Sequence, residues 1–418
     1  MTEAQASDHV VIIGAGQAGS ELAAALRQHH YAGAITLIGD EAYPPYRRPP
    51  LSKAYLAGEM TREALFIRPE SVYAKQEVKC VFSAKAVSIE RAGKNVVLAD
   101  GRCILYSKLV LATGGYARKL PLPGADKPNV HYVRGIDDIE RLKADFSAGK
   151  RLVVIGGGYI GLEAASVGIK KGLQVTVVEA MPRVLARVAA PDISAFYEKA
   201  HRRRGVEIRT GVGVEAVEGG ERVETVVLAD GTRLPADLVI VGVGLIPHVE
   251  LAQAAGIAVD NGILVDAYTR TSDPDILAVG DCTNHDNGFL GRRIRLESVP
   301  NAMEQARVAA ETICGTLKPY NAVPWFWSDQ FDLKLQMVGI SQGYDQFLIR
   351  GDMDKESFAA FYLKDGIVIS ADTINRPQEF AVAKRLVAER IPVNAAQLAD
   401  DATPLKSLLP AAPAAPAA

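Results

Sequence analysis

Short unbroken apolar runs alternate along the chain with longer stretches whose apolar positions recur at helical spacing. VVIIGAGQAGSELAAAL (10–26) sets the pattern: a β-branched run breaks into Gly14-Ala15-Gly16-Gln17-Ala18-Gly19 and then turns helical. A continuous apolar run suits a parallel strand covered on both faces. The spacing predicts a strand at 10–14, a helix at 17–30 and a second strand in AITLIGDE (34–41), before the proline-rich YPPYRRPPLSK (43–53) interrupts. VVLADGRCILYSKLVLATGG (96–115) reads as a hairpin followed by a buried strand. The scheme then starts again. RLVVIGGGYIGLEAASV (151–167) repeats the glycine turn, and VVLADGTRLPADLVIVGVGLIP (226–247) repeats the hairpin and strand, with Asp230-Gly231 answering Asp100-Gly101. The repeat is therefore a whole strand–helix unit, not a loop alone. From 326 the pattern shortens to KLQMVGI, SFAAFYL and GIVISAD, which predict antiparallel strands, followed by a helix in PQEFAVAKRLVAERI (377–391). The low-complexity PAAPAAPAA predicts a disordered tail at 410–418.

Composition narrows the class. A chain of 418 residues calls for two or three domains. The formal net charge of −2 lacks the basic surplus of a nucleic-acid binder. MTEAQASDH has no basic-then-apolar signal pattern, and stretches such as LVIVGVGLIP (238–247) are too short to span a bilayer. No membrane partner and a cytoplasmic setting are the expectation. Cys80, Cys103, Cys282 and Cys314 form no C-x-x-C or ligand spacing, and His29-His30 are adjacent, so no metal site is expected. The basic run RRR (202–204) reads as an exposed helix end.

Each glycine turn has a physical reading. The first glycine allows the tight turn, the second lets a phosphate approach the backbone, and the third lets helix and strand pack closely. A pyrophosphate then meets the free N–H groups at the helix N-terminus. An acid at the next strand end completes each unit: Asp40, with Glu41 beside it, and Glu179 in VTVVEA. Such a carboxylate accepts hydrogen bonds from a ribose diol and repels a 2′-phosphate, so Glu179 favours NADH over NADPH. Arg183 and Arg187 lie close by, and an arginine can accommodate that phosphate.

With ATGG (112–115), VGVGLIP (241–247) and TSDPDILAVGDC (271–282), the chain resembles the two-dinucleotide flavoprotein reductases with a glutathione-reductase-like fold. More narrowly, RPPLSKAYL (48–56), GGGYIGLE (156–163), ESVPNAMEQA (297–306) and WFWSDQ (325–330) resemble the putidaredoxin reductase group. The resemblance implies an α/β chain with two Rossmann-like dinucleotide-binding domains, for FAD and NAD, plus a C-terminal α+β domain with an antiparallel sheet. Its segments are 1–118 and 247–325 for FAD, 119–246 for NAD, and 326–409 for the C-terminal domain. Residues 42–60 contain no cysteine, whereas glutathione-reductase relatives carry a redox dithiol there. Cys282 reads as a small buried residue.

The implied reaction passes electrons from NADH through FAD to a small acidic two-iron two-sulfur ferredoxin feeding an oxygenase, a haem monooxygenase by this likeness. A rubredoxin is the alternative acceptor, and monodehydroascorbate is a third. From a different class, an NADH-sensing flavoprotein resembling apoptosis-inducing factor is the remaining reading. The resemblance assigns FAD to Gly14, Gly16, Ala18, Gly19, Asp40, Arg48, Pro49, Lys53, Ala86, Thr113, Gly114, Arg134, Gly280, Asp281, Val299 and Trp327. It assigns NAD to Gly156, Gly157, Gly158, Tyr159, Ile160, Gly161, Glu163, Glu179, Arg187 and Gly244. Lys53 pairs with Glu163 over the flavin, Trp327 lines its edge, and Arg68 and Arg307 are the candidate docking residues.

Overall fold

The computed structural model describes residues 8–410, so the sequence-predicted tail lies outside the described residues from 411 onward. The first apolar runs form a parallel sheet ordered Ile276–Ala278, Lys108–Leu111, His9–Ile13, Ala34–Ile38, Val78–Val81. A second parallel sheet is ordered Val130–Tyr132, Leu238–Val241, Arg151–Ile155, Gln174–Glu179, Glu207–Thr210. The two orders match strand for strand. They differ in where the outermost strand comes from: Ile276–Ala278 follows the whole second unit, and Val130–Tyr132 precedes it. The chain thus returns to its first sheet only after completing the second.

The repeat extends to an irregularity. Each unit carries a three-stranded antiparallel sheet, and in both the first strand bulges near its start, between Ala86 and Ser88 and between Val214 and Ala216. Gly101 and Gly231 turn the two hairpins at φ +86° and +83°, values open to glycine at little cost. A short antiparallel ribbon, Gly115–Ala117 with Leu245–Pro247, ties the units together.

The C-terminal strands form a five-stranded antiparallel sheet, Trp325–Gln330, Leu333–Gly339, Ile367–Ile374, Ser357–Lys364, Gln346–Asp352, against which helix Pro377–Ala388 packs. One apolar core spans three segments: Tyr46, Leu51 and Tyr55 from the proline-rich stretch, Leu162 and Tyr197 from the second unit, and Leu335 and Phe358 from this sheet. Polar side chains inside that core must find partners there.

Some boundaries move. The first helix is Gln17–Gln28, because His30 takes φ +58° and ends it; the strand in AITLIGDE is Ala34–Ile38 and the late helix stops at Ala388. The arginine run is not simply a solvated helix end. Arg203 and Arg204 both grip Glu356 of the C-terminal domain, and the Arg204 side chain is only 19% exposed. No helix among the described residues is long and apolar enough to cross a membrane.

Candidate functional site

The two glycine loops share one construction. A Cβ added at Gly14 or Gly156 would run into the carbonyl of Ala112 or Gly242, and one added at Gly19 or Gly161 into the carbonyl of Gly14 or Gly156. At the middle glycines, Gly16 and Gly158, a Cβ would meet nothing within 4 Å. The outer glycines are thus required by strand and helix, while the middle ones face open space. Gly16 and Gly158 are also the helix N-caps, with no side chain capping them, so first-turn N–H groups are left for an anion. A dinucleotide pyrophosphate fits both cradles.

Around the first cradle, the neighbouring acids separate. Glu41 accepts from Arg48 at 2.5 Å and from the Tyr46 hydroxyl at 2.5 Å, whereas Asp40 stands exposed at the strand end. Arg48 also donates to the Arg134 carbonyl at 2.7 Å, and the Arg134 guanidinium lies 3.6 Å from Asp281. Gly114 sits against Arg134, and Gly280 against Ala18. Enclosure pushes the Asp281 carboxyl above the usual range, with Arg134 opposing. Thr113, whose hydroxyl donates to the His248 carbonyl, adjoins this group. Ala86 marks the bulge, Pro49 opens a 3₁₀ turn, and Val299 opens helix Val299–Ile313 behind its Ser298 cap.

At the second cradle, Glu179 is held at both oxygens: Gly157 N–H donates at 2.7 Å and Met181 N–H at 2.8 Å. Arg183 is committed to the Ala186 and Ala189 carbonyls and to Ser194, so it is not free for a 2′-phosphate. Arg187 is exposed near Gly244. Ile160 is exposed beside the loop, and Tyr159 packs its ring on Phe326 with centroids 5.0 Å apart.

Between the cradles lies an ion pair. Lys53 Nζ is 2.7 Å from Glu163 Oε2 and donates to the Pro49 carbonyl at 3.1 Å. The Glu163 side chain is 4% exposed. Ser52 Oγ donates to Oε2 at 2.6 Å and Ser328 Oγ to Oε1 at 2.6 Å. Neither serine stood out in the sequence, since a hydroxyl distant in the chain has no spacing signature. Ser328 and Trp327 are strand neighbours and face opposite sides. The Trp327 ring lies with Trp325, at 5.6 Å between centroids, on the face away from Glu163. Cys282 is fully buried, bonded to the Leu111 and Val279 carbonyls, and burial pushes its thiol up. Arg68 and Arg307 share one carboxylate, Glu21, each at 3.3 Å, and Arg307 also pairs with Glu304.

Residues 8–306 match the pyridine nucleotide-disulphide oxidoreductase family, and residues 325–409 match the reductase C-terminal family. The chain belongs to the pyridine nucleotide-disulphide oxidoreductases. It is 47% identical to putidaredoxin reductase of Pseudomonas putida, over 98% of each chain. It is 39% identical to a rubredoxin-NAD(+) reductase of the same species, over 88% of this chain and 96% of that one. Among solved structures, the covalent putidaredoxin reductase–putidaredoxin complex matches with a TM-score of 0.94 at 47% identity, covering 97% of this chain and 98% of that one. The ferredoxin reductase for the CYP199A2 system of Rhodopseudomonas palustris matches at 0.93 and 45% identity, over 96% and 99% of the two chains.

Proposed function

We propose that this oxidoreductase is a ferredoxin–NAD(+) reductase, taking electrons from NADH through FAD to a small acidic two-iron two-sulfur ferredoxin that serves an oxygenase, in this reading a haem monooxygenase. The observation that carries the reading is the Lys53–Glu163 pair, which joins the proline-rich segment to the helix of the second cradle, where residues 42–60 offer no thiol. When bound, FAD accepts a hydride from NADH and releases electrons one at a time. Segments 1–118 and 247–325 hold FAD through Gly14, Gly16, Gly19, Asp40, Arg48, Arg134 and Asp281. Segment 119–246 holds NADH through Gly156, Gly158, Gly161 and Glu179, and 326–409 forms the C-terminal domain.

In this reading Lys53 presents its ammonium to the flavin, Glu163 fixes that ammonium, and Trp327 covers the flavin edge and excludes water. With no dithiol in between, electrons leave directly for a docked protein. Arg68 and Arg307 serve as docking residues, although the two carboxylates they hold leave their patch without net charge. Long-range steering of an acidic partner therefore has to come from other surface cations. The setting proposed for this NADH- and ferredoxin-linked reaction is the cytoplasm.

Rubredoxin is the competing acceptor, as in one of the relatives. NADH-dependent cytochrome c reduction, run with a two-iron two-sulfur ferredoxin and with a rubredoxin, separates them. Ferredoxin stimulates the rate at least tenfold more than rubredoxin in this account; stimulation by rubredoxin alone would overturn it.

A further inference from the structure

Glu163 is buried, and burying a carboxylate is costly unless its oxygens find donors. Those donors come from two widely separated parts of the chain: Ser52 and Lys53 from the proline-rich segment, and Ser328 from the first strand of the C-terminal sheet. Behind Ser328 the polar chain continues. Gln330 Nε2 lies 3.2 Å from Ser328 Oγ, and Gln330 Oε1 lies 2.8 Å from His201 Nε2, on helix Pro191–Arg203. Ser328, Gln330 and His201 are each 0% exposed.

Chemistry fixes the direction of every bond in this chain. A carboxylate only accepts, so the single Ser328 proton goes to Glu163. Gln330 must then donate its N–H to Ser328, which turns its carbonyl towards His201. His201 must carry its proton on Nε2, leaving Nδ1 a bare acceptor, and Nδ1 indeed finds no partner. Burial holds the His201 pKa down at about 4, which keeps the ring neutral and the direction single-valued. Each donor polarises the next towards Glu163.

We propose that Ser328 is a positioning residue for electron transfer: backed by Gln330 and His201, it fixes the Glu163 carboxylate and through it the Lys53 ammonium. Ser328 thereby acts on the reducing centre from the C-terminal sheet through Glu163 and Lys53, without touching the flavin itself. This rests on the reading that Lys53 faces the flavin, and the experiment keeps the two apart.

The holoenzyme is compared with Ser328→Ala, Ser328→Thr, Lys53→Met and the double variant Lys53→Met/Ser328→Ala. The readouts are flavin midpoint potential and the single-turnover rate of flavin bleaching by NADH, each normalised to bound FAD. Ser328→Ala slows bleaching by roughly tenfold, the lower end of the scale of one buried hydrogen bond to a charged group. It lowers the midpoint by up to about 30 mV, a tenfold change in a two-electron equilibrium. Ser328→Thr, which keeps the hydroxyl, restores both, and Ser328→Ala adds nothing in the Lys53→Met background. If Lys53→Met itself moves neither readout, the placement of Lys53 at the flavin is wrong. If Lys53→Met moves them and Ser328→Ala does not, or moves them equally in both backgrounds, the positioning role is overturned. Should Ser328→Ala fail to retain FAD, Ser328→Cys, a weaker donor, is read by the same criteria.

Discussion

At the residue scale, Glu179 shows what the structure adds to a motif. The acid was legible from its place at the end of VTVVEA, and the structure adds that backbone N–H groups hold both its oxygens. What the sequence could not separate was the role of its arginine neighbours. Arg183 spends its guanidinium on loop carbonyls, while Arg187 stays exposed. Glu179→Arg should therefore lower the ratio of kcat/KM for NADH over NADPH by about one to two orders of magnitude, the scale of one or two charged hydrogen bonds. Steady-state kinetics with both nucleotides check it; an unchanged ratio means Glu179 does not contact the ribose. Ser52 and Ser328 were not legible at all. They reach Glu163 across 111 and 165 positions of chain, and only the folded core brings them there.

At the element scale, the repeat carried most of the information. Strand, glycine turn, helix, acidic strand end and D-G hairpin recur in order, because each unit must solve the same packing problem around a phosphate. The shared bulge was invisible, since one extra residue in a strand leaves the apolar alternation nearly intact. The C-terminal domain was legible as antiparallel strands and a helix, but not its closing clamp. Arg350, 3% exposed, donates to Glu379 at 2.9 Å and to the carbonyls of Leu398, Asp400 and Thr403, tying the last segment to the edge strand. Arg350→Leu leaves those carbonyls without their donor and destabilises this domain by about 3 kcal/mol. Limited proteolysis reads the effect: cleavage after Leu398 should precede loss of FAD. Cleavage kinetics like those of the parent protein would show that the clamp is not holding the segment.

At the scale of the molecule, the second sheet is built from one contiguous stretch, 130–241, while the first sheet is split around it. The return of Ile276–Ala278 to the first sheet follows from the second copy being inserted within the first. The resemblance anticipated that return; composition and periodicity alone would have given two tandem units. Function at this scale is a division of labour. In the proposed function one cradle keeps its nucleotide, the other exchanges it, and the Lys53–Glu163 pair, held by Ser52 and by Ser328 of the C-terminal sheet, serves both. The most direct test is anaerobic stopped-flow mixing of the FAD-loaded, NADH-reduced protein with an oxidised two-iron two-sulfur ferredoxin. The account predicts that flavin absorbance returns while ferredoxin absorbance falls, at a rate that saturates with ferredoxin concentration. A long-lived reduced, NAD-bound charge-transfer species that no ferredoxin reoxidises would contradict it.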